Sequence, residues 1–166
     1  MNIGIIAAED DEMLAIKNIM TDIKENKIYN LNFIQGTIKN KMCTLVKSGV
    51  GKVNAARTTQ VLIDNYKVDY VINVGSAGGI DEELNIEDIV IGNNLIQYDF
   101  DITQVGNYEK GEICEIGKYI KSDERLINLC IETIEEMKDR DFNIKIGTIG
   151  TADLFSADPN RASNLK

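Results

Sequence analysis

Acid–base chemistry in this chain is expected to fall to carboxylates, because its 166 residues include 27 Asp and Glu but no His. Histidine is the commonest general base and the commonest neutral metal ligand in proteins. The densest acidic cluster, Glu9–Glu12, directly follows the apolar run Asn2–Ala8. Acids at this point also suit the first turn of a helix, where the macrodipole favours negative charge. The cluster alone therefore leaves a chemical and a purely structural interpretation open.

Metal and cofactor chemistry is not indicated. The acids of Glu9–Glu12 lack histidine partners and occupy successive helix positions, which face different ways. The three cysteines, Cys43, Cys114 and Cys130, are an odd number at wide spacings, which argues against a zinc knuckle or a disulfide framework. Cys43 and Cys130 lie in apolar patterns and are expected to be buried. We expect no metal, no cofactor and a cytoplasmic location.

Two glycine-rich segments resemble nucleotide-binding loops without matching them. The P-loop pattern fails at GVGK, residues 49–52, because Val46 and Val53 stand where it needs Gly and Ser or Thr. The segment GSAGG, residues 75–79, lacks the dinucleotide spacing G-x-G-x-x-G. It follows an apolar run, so its glycines either form a tight turn or let the backbone approach a ligand.

Composition limits the class of protein. The chain has 43% hydrophobic residues and the length of one ordinary domain. Its net charge of −9 opposes binding to nucleic acid and to anionic membranes. No secretion signal precedes the first acids, and no apolar stretch approaches the roughly 20 residues that a transmembrane helix needs.

The hydrophobic pattern predicts an α/β protein with a mixed sheet. A helix is expected to begin at the acidic cluster, with Met13, Ile16, Met20 and Ile23 on its apolar face. The other predicted helices are 53–66 and 123–140, and the predicted strands are 2–8, 31–38, 42–46, 69–74, 88–91 and 143–149.

Five segments taken in order are more specific than any one of them. They are IGIIAAEDDEM (3–13), KSGVGKVNAA (47–56), INVGSAGGI (72–80), DIVIGN (88–93) and YDFDIT (98–103). In this order and spacing the chain resembles the 5′-methylthioadenosine/S-adenosylhomocysteine nucleosidases of the nucleoside phosphorylase fold family. The resemblance weakens through residues 123–140 and returns at GTADLFSAD, residues 150–158.

The resemblance implies a three-layer α/β/α domain with a mixed, barrel-like central sheet. It also implies hydrolysis of the N-ribosidic bond of methylthioadenosine and S-adenosylhomocysteine, which releases adenine and a 5′-thioribose. The substrate would be a small nucleoside, and the protein would be a homodimer without a cofactor.

Residue roles follow from the same resemblance. Glu12 matches the glutamate that holds and deprotonates the attacking water. The other matching positions are Ala8 and Val50 near the 5′-substituent, Ser76, Ala77 and Gly78 beneath the ribose and purine, and Phe155 and Ser156 at the adenine. Ile102 and Val105 match the segment that completes the partner subunit's pocket.

The resemblance implies that the family's general acid and its ribose clamp would fall beyond residue 166. We therefore expect residues 1–166 to form a single domain that lacks the C-terminal part of the family domain and is poorly active. One alternative is a nucleoside phosphorylase on the same fold, which needs cations for phosphate. The chain has few arginines, and Glu12 stands where a phosphorylase would place an anion site, so hydrolysis is favoured. A non-catalytic purine-binding module is the other alternative.

Overall fold

The computed structural model describes residues 1–137 and 139–154, which group into two compact units, residues 1–77 and residue 78 onward. The first unit contains β1 (Asn2–Ala7), α1 (Asp10–Lys17), β2 (Thr21–Ile28), β3 (Leu31–Ile38), β4 (Lys41–Lys47), α2 (Lys52–Tyr66) and β5 (Tyr70–Asn73). The described part of the second unit contains β6 (Ile89–Gln97), β7 (Ile120–Lys121), α3 (Glu124–Glu135) and β8 (Ile144–Thr151).

The sheet of the first unit has the strand order β2-β3-β4-β1-β5. Strands β2, β3 and β4 are antiparallel neighbours, whereas β1 is parallel to both β4 and β5. The carboxyl ends of β4, β1 and β5 therefore lie at one edge of the sheet. The register pairs Ala7 with Lys47 and Ile6 with Asn73, so the segments that follow these three strands emerge side by side.

The core of the first unit lies on both faces of this sheet. Successive strand residues point to opposite faces, so Ile5 and Ile6 belong to different clusters. One cluster packs against α1 and the other against α2, which gives a helix–sheet–helix arrangement. Phe33 and Leu62 are fully buried in the second cluster. Burial of each such side chain contributes about 1.5–3 kcal/mol.

Helix α1 ends earlier than the hydrophobic pattern predicts. It stops at Lys17, and the element that follows it is the eight-residue edge strand β2. Met20 is buried against the sheet, as an apolar position should be, but Ile23 lies in β2 and is 40% exposed. The prediction of one long helix was wrong because β2 is an edge strand. Its sequence, TDIKENKI, is polar towards solvent and shows no strand periodicity.

The second unit contains a three-stranded sheet in the order β7-β6-β8. Strand β6 extends to Gln97, beyond the predicted strand 88–91, because a bulge at Gly92–Asn94 absorbs its polar centre. Helix α3 is shorter than predicted. Its N-cap, Asp123, accepts hydrogen bonds from the backbone N–H groups of Arg125 at 3.0 Å and Leu126 at 3.1 Å.

Two of the cysteines differ in burial. Cys43 is buried in β4, as its apolar neighbourhood predicts. Cys130 is exposed, which contradicts the prediction. The half-buried positions of α3 include Ile127, Ile131 and Ile134, and Cys130 falls at the margin of that stripe.

The α/β class and the mixture of parallel and antiparallel strands are confirmed. The described strands form two hydrogen-bonded sheets, one in each unit. In the described ranges, no helix is long and apolar enough to cross a membrane.

Candidate active site

Glu12 lies in the first turn of α1, immediately beyond the carboxyl end of β1. Its Oε2 atom accepts hydrogen bonds from the backbone N–H of Ala8 at 2.9 Å and of Glu9 at 3.0 Å. A glutamate at the third helical position that accepts the N-cap N–H is half of a capping box. The contact with Glu9 N–H would be present even if Glu12 only started the helix.

The second oxygen of Glu12 binds a distant part of the chain. Its Oε1 atom accepts hydrogen bonds from the backbone N–H of Ser76 at 2.9 Å and from the Ser76 hydroxyl at 3.3 Å. A helix cap does not need this contact. It forms because β5 lies beside β1, and the pairing continues past β5 where Val74 N–H donates to the Ile6 carbonyl at 3.0 Å.

The carboxyl group of Glu12 is stabilised in its ionised form. Partial burial raises the pKa of Glu12, but hydrogen bonds from Ser76, Glu9 and Ala8 outweigh burial and hold the pKa below its ordinary value. Donors that bind the charged form favour it. Glu12 is therefore a carboxylate at neutral pH, an acceptor that can orient a water molecule and take its proton.

The loop between β4 and α2 reaches the same edge of the sheet. Ser48 N–H donates to the Ala7 carbonyl at 2.9 Å, which places the start of this loop beside the end of β1. Gly49 and Gly51 have φ angles of +80° and +104°, which favour glycine. Val50 between them is 65% exposed, and its carbonyl accepts from the Asn54 side chain at 2.8 Å. The structure thus brings Ala8, Glu12, Val50 and Ser76 to one edge.

A cation also ends one of these strands. Lys47 Nζ lies 2.6 Å from Asp10 Oδ1 in an exposed ion pair that links the end of β4 to α1. Such a surface pair contributes little to stability, about 0–1 kcal/mol. The pair bears on the chemistry of the site, because a lysine paired with a carboxylate is less available to bind an anion.

The remaining predicted residues are placed separately. Ala77 is exposed at the end of the first unit, and Gly78 is an exposed residue of the second unit. Ile102 is half-buried and Val105 is 79% exposed, in a turn where Val105 N–H donates to the Ile102 carbonyl at 2.9 Å. Phe155 and Ser156 lie outside the described residues.

Sequence reasoning missed how Glu12 is held. It placed Ser76 beneath the ribose and gave it no contact with Glu12, and it gave Gly75 no role. The acidic cluster follows β1 and GSAGG follows β5, and the two segments meet because these strands are parallel neighbours. The sequence does not reveal that pairing. The Lys47–Asp10 pair was missed for the same reason.

The comparisons with known proteins give the class first. A family model described as "Phosphorylase superfamily" matches residues 2–166. Together with the α/β fold and the carboxylate at the carboxyl edge of parallel strands, this match makes the chain a member of that superfamily.

Curated relatives and solved structures narrow the assignment. The 5′-methylthioadenosine/S-adenosylhomocysteine nucleosidase of Marinomonas sp. is 38% identical over 164 residues, which are 99% of this chain and 70% of the relative. The crystal structure of the Colwellia psychrerythraea nucleosidase, in complex with adenine, has a TM-score of 0.92 at 34% identity and covers 98% of this chain. The Neisseria meningitidis nucleosidase, in complex with methylthio-immucillin-A, has a TM-score of 0.93 at 28% identity and covers 99% of this chain. The chain belongs to the 5′-methylthioadenosine/S-adenosylhomocysteine nucleosidase family.

This chain is shorter than the relatives. It spans about 70% of the Marinomonas protein, 66% of the Colwellia chain and 70% of the Neisseria chain.

Proposed function

We propose that this protein hydrolyses the N-ribosidic bond of 5′-methylthioadenosine and S-adenosylhomocysteine, releasing adenine and a 5′-thioribose. One observation carries the proposal: the Glu12 carboxylate is ionised and held from two separate segments at the edge where three parallel strands end. Active sites of α/β proteins lie at the carboxyl ends of parallel strands. The names of the relatives supply the substrate class.

The chemistry of the bond explains why such a carboxylate is needed. As the C1′–N9 bond breaks, its electron pair leaves with adenine and positive charge develops on the ribose. Water then attacks C1′ and must lose a proton, which Glu12 accepts as general base. The prediction that the acid that protonates adenine lies beyond residue 166 stays a prediction.

The hydrogen bonds of Glu12 indicate where the water binds. A carboxylate has about four acceptor sites, and two donors bind each Glu12 oxygen. Three of the four donors are backbone N–H groups, which are fixed. The fourth, the Ser76 hydroxyl, is the most distant at 3.3 Å and can rotate. We infer that the attacking water takes the acceptor site that this hydroxyl occupies.

The other site residues keep the roles that the family resemblance gives them. In this proposal Ala8 and Val50 contact the 5′-substituent, and Ser76, Ala77 and Gly78 lie beneath the ribose and purine. The exposure of Val50 and of residues 76–78 supports these roles, since ligand-binding backbone must be reachable. Phe155 stacks on adenine, and the main chain of Ser156 binds the edge of the base.

Hydrolysis is favoured over phosphorolysis by the pairing of Lys47, the cation that ends β4. A phosphorylase must bind phosphate, which calls for free cationic groups or open backbone N–H groups. Lys47 is paired with Asp10, and the N–H groups of Ala8 and Glu9 already bind Glu12. These groups support a site for water, a neutral nucleophile.

We also propose that the protein is a cytoplasmic homodimer in which Ile102 and Val105 complete the partner's 5′-thio pocket. The exposure of Val105 supports the contact. All three cysteines are free, which supports a reducing compartment.

Adenine release from methylthioadenosine, measured by chromatography in phosphate-free buffer, tests the proposed reaction. We expect adenine and free methylthioribose, with a rate that added phosphate does not change. Glu12→Gln keeps the shape of the side chain but cannot accept a proton, so the rate should fall by about 10²- to 10⁴-fold. The control is Asp11→Asn, which removes the same charge from an exposed neighbour and should leave the rate within twofold, roughly.

Each other outcome selects another function. A phosphate requirement with a sugar phosphate as product would identify a phosphorylase. Binding of adenine without turnover would indicate the purine-binding module. Unchanged turnover in Glu12→Gln would remove Glu12 from the mechanism. A rate equal to that of the Marinomonas enzyme would place the acid and the ribose clamp within residues 1–166.

A further inference from the structure

The carboxylate of Glu12 lies against the main chain at Gly75. A Cβ atom built on Gly75 would stand 3.0 Å from Glu12 Oε1, 3.4 Å from Cδ and 3.5 Å from Oε2. All three carboxylate atoms therefore lie within contact distance of a side chain at this position, and Oε1 is the nearest. Contacts of 3.0–3.4 Å are tighter than almost all contacts of real Cβ atoms. Any side chain at position 75 would therefore displace the carboxylate.

The carboxylate has little freedom to move aside. Ser76 N–H holds Oε1 at 2.9 Å, and the N–H groups of Ala8 and Glu9 hold Oε2 at 2.9 and 3.0 Å. These donors belong to the backbone of two different segments. A shift that relieves contact with a Cβ at position 75 must lengthen at least one of these hydrogen bonds.

Glycine is not needed at position 75 for the backbone itself. The φ angle of Gly75 lies outside the left-handed region, in contrast to Gly49 at +80° and Gly51 at +104°. Alanine could adopt the same backbone without strain. What glycine provides here is space beside Glu12.

We propose that Gly75 is a positioning residue for Glu12: the missing side chain lets the carboxylate approach the end of β5 and accept the Ser76 N–H. The inference rests on the proposed function and deepens it, because it states what fixes the general base. Gly75 contacts no reacting atom and acts only through Glu12.

The variant Gly75→Ala tests this inference. The carboxylate must shift by a few tenths of an ångström to admit the new Cβ. Because misplacing a catalytic group by about 1 Å can cost about 10²-fold, we expect this smaller shift to lower kcat by roughly 3- to 10-fold. KM should change less than kcat, since the substrate is bound by other residues. The control is Gly79→Ala in the same glycine run. Its Cβ would meet Leu84 Cβ at 3.5 Å, an ordinary contact, so its kcat should be unchanged.

A second measurement does not depend on turnover. Carbon-13 NMR of the glutamate carboxyl groups follows the titration of Glu12, assigned by its loss in Glu12→Gln. In Gly75→Ala, weaker hydrogen bonds from Ser76 should raise the pKa of Glu12 from its lowered value. The same pKa in Gly75→Ala and the unmodified protein would overturn the inference, whatever the activity.

A double mutant shows whether Gly75 acts through Glu12. In a Glu12→Gln background, Gly75→Ala should change the rate by less than about twofold, because residues that act as one unit are not additive. An independent, multiplicative effect would contradict the inference. If Glu12→Gln alone leaves turnover intact, it is the proposed role of Glu12 that fails, and the NMR result still decides whether Gly75 positions the carboxylate.

Loss of folding in Gly75→Ala also has a defined test. Glu12→Asp shortens the side chain by one methylene and withdraws the carboxylate from position 75. If crowding against Glu12 is the cause, the double variant Gly75→Ala/Glu12→Asp should regain the melting transition that Gly75→Ala lost. A double variant that stays unfolded would show that Gly75 is needed for another reason.

Discussion

At the scale of single residues, Glu12 combines a structural and a chemical role. Its contact with Glu9 N–H is what a helix start requires. Its contact with Ser76 joins positions 64 residues apart and serves no helix. A carboxylate with two donors on each oxygen is oriented before any ligand arrives, and preorganised groups need no rearrangement during the reaction.

The lowered pKa of Glu12 predicts how stability depends on pH. A carboxyl group whose pKa is lower in the folded state stabilises the fold above its unfolded pKa, and this contribution is lost as pH falls through the folded pKa. The unmodified protein should therefore exceed Glu12→Gln in free energy of unfolding at pH 7, and the difference should shrink under acidic conditions. Urea unfolding of both proteins at several pH values measures it. A difference that stays constant down to the lowest pH at which both fold would contradict the lowered pKa.

At the scale of elements, β2 is the strand that departs most from its sequence pattern. It starts with an irregularity between Thr21 and Lys24, and Asp22 there has a φ angle of +54°. The bulge presses the carbonyl of Thr21 against β3, where a Cβ on Gly36 would lie only 2.7 Å away. Gly36 thus accommodates the bulge that ends the turn after α1.

The variant Gly36→Ala tests this account of β2. Gly36 is buried and the clash is with backbone, which cannot rotate away, so we expect a loss of about 1–3 kcal/mol in the free energy of unfolding. Gly147→Ala is the control, because its Cβ would meet only Val90 Cγ1 at 3.6 Å. Urea unfolding compares the two variants. Equal stability of both would show that β2 can shift without cost.

At the scale of the whole molecule, the dimer proposal depends on an exposed apolar residue, Val105. Val105 is 79% exposed in the described chain. Burial of this exposed valine against another subunit would stabilise the dimer by about 25 cal/mol for each Å² of apolar surface removed from water.

The variant Val105→Asp tests the proposed dimer. A charge buried without a partner at the contact is strongly unfavourable, so sedimentation should show a shift from dimer to monomer. Ile86→Asp is the matched control, since Ile86 is 95% exposed in the same unit and lies outside the proposed contact. Dissociation by Ile86→Asp but not by Val105→Asp would place the interface elsewhere, and a monomeric unmodified protein would end the shared-pocket proposal.

The sequence by itself determined the features that local pattern encodes. The apolar run of β1, the hairpin of β3 and β4, helix α2 and the strand before GSAGG follow from continuous or periodic apolar residues, and the structure confirms them. The ordered segments also determined the family, and Glu12, Ser76 and Val50 were named from them. The predictions of these strands and of helix α2 succeed because buried strands and amphipathic helices must show their burial in composition.

Only the tertiary structure decided what depends on neighbours distant in sequence. The strand β2 is polar because it lies at an edge, and β6 continues through polar residues because a bulge absorbs them. The clamp on Glu12 arises because β5 lies parallel to β1, which brings Gly75 and Ser76 to a carboxylate more than 60 residues earlier. The geometry of hydrogen bonds between residues so far apart in sequence is set by strand order and register. Neither can be predicted from the identities of the residues that make the contact.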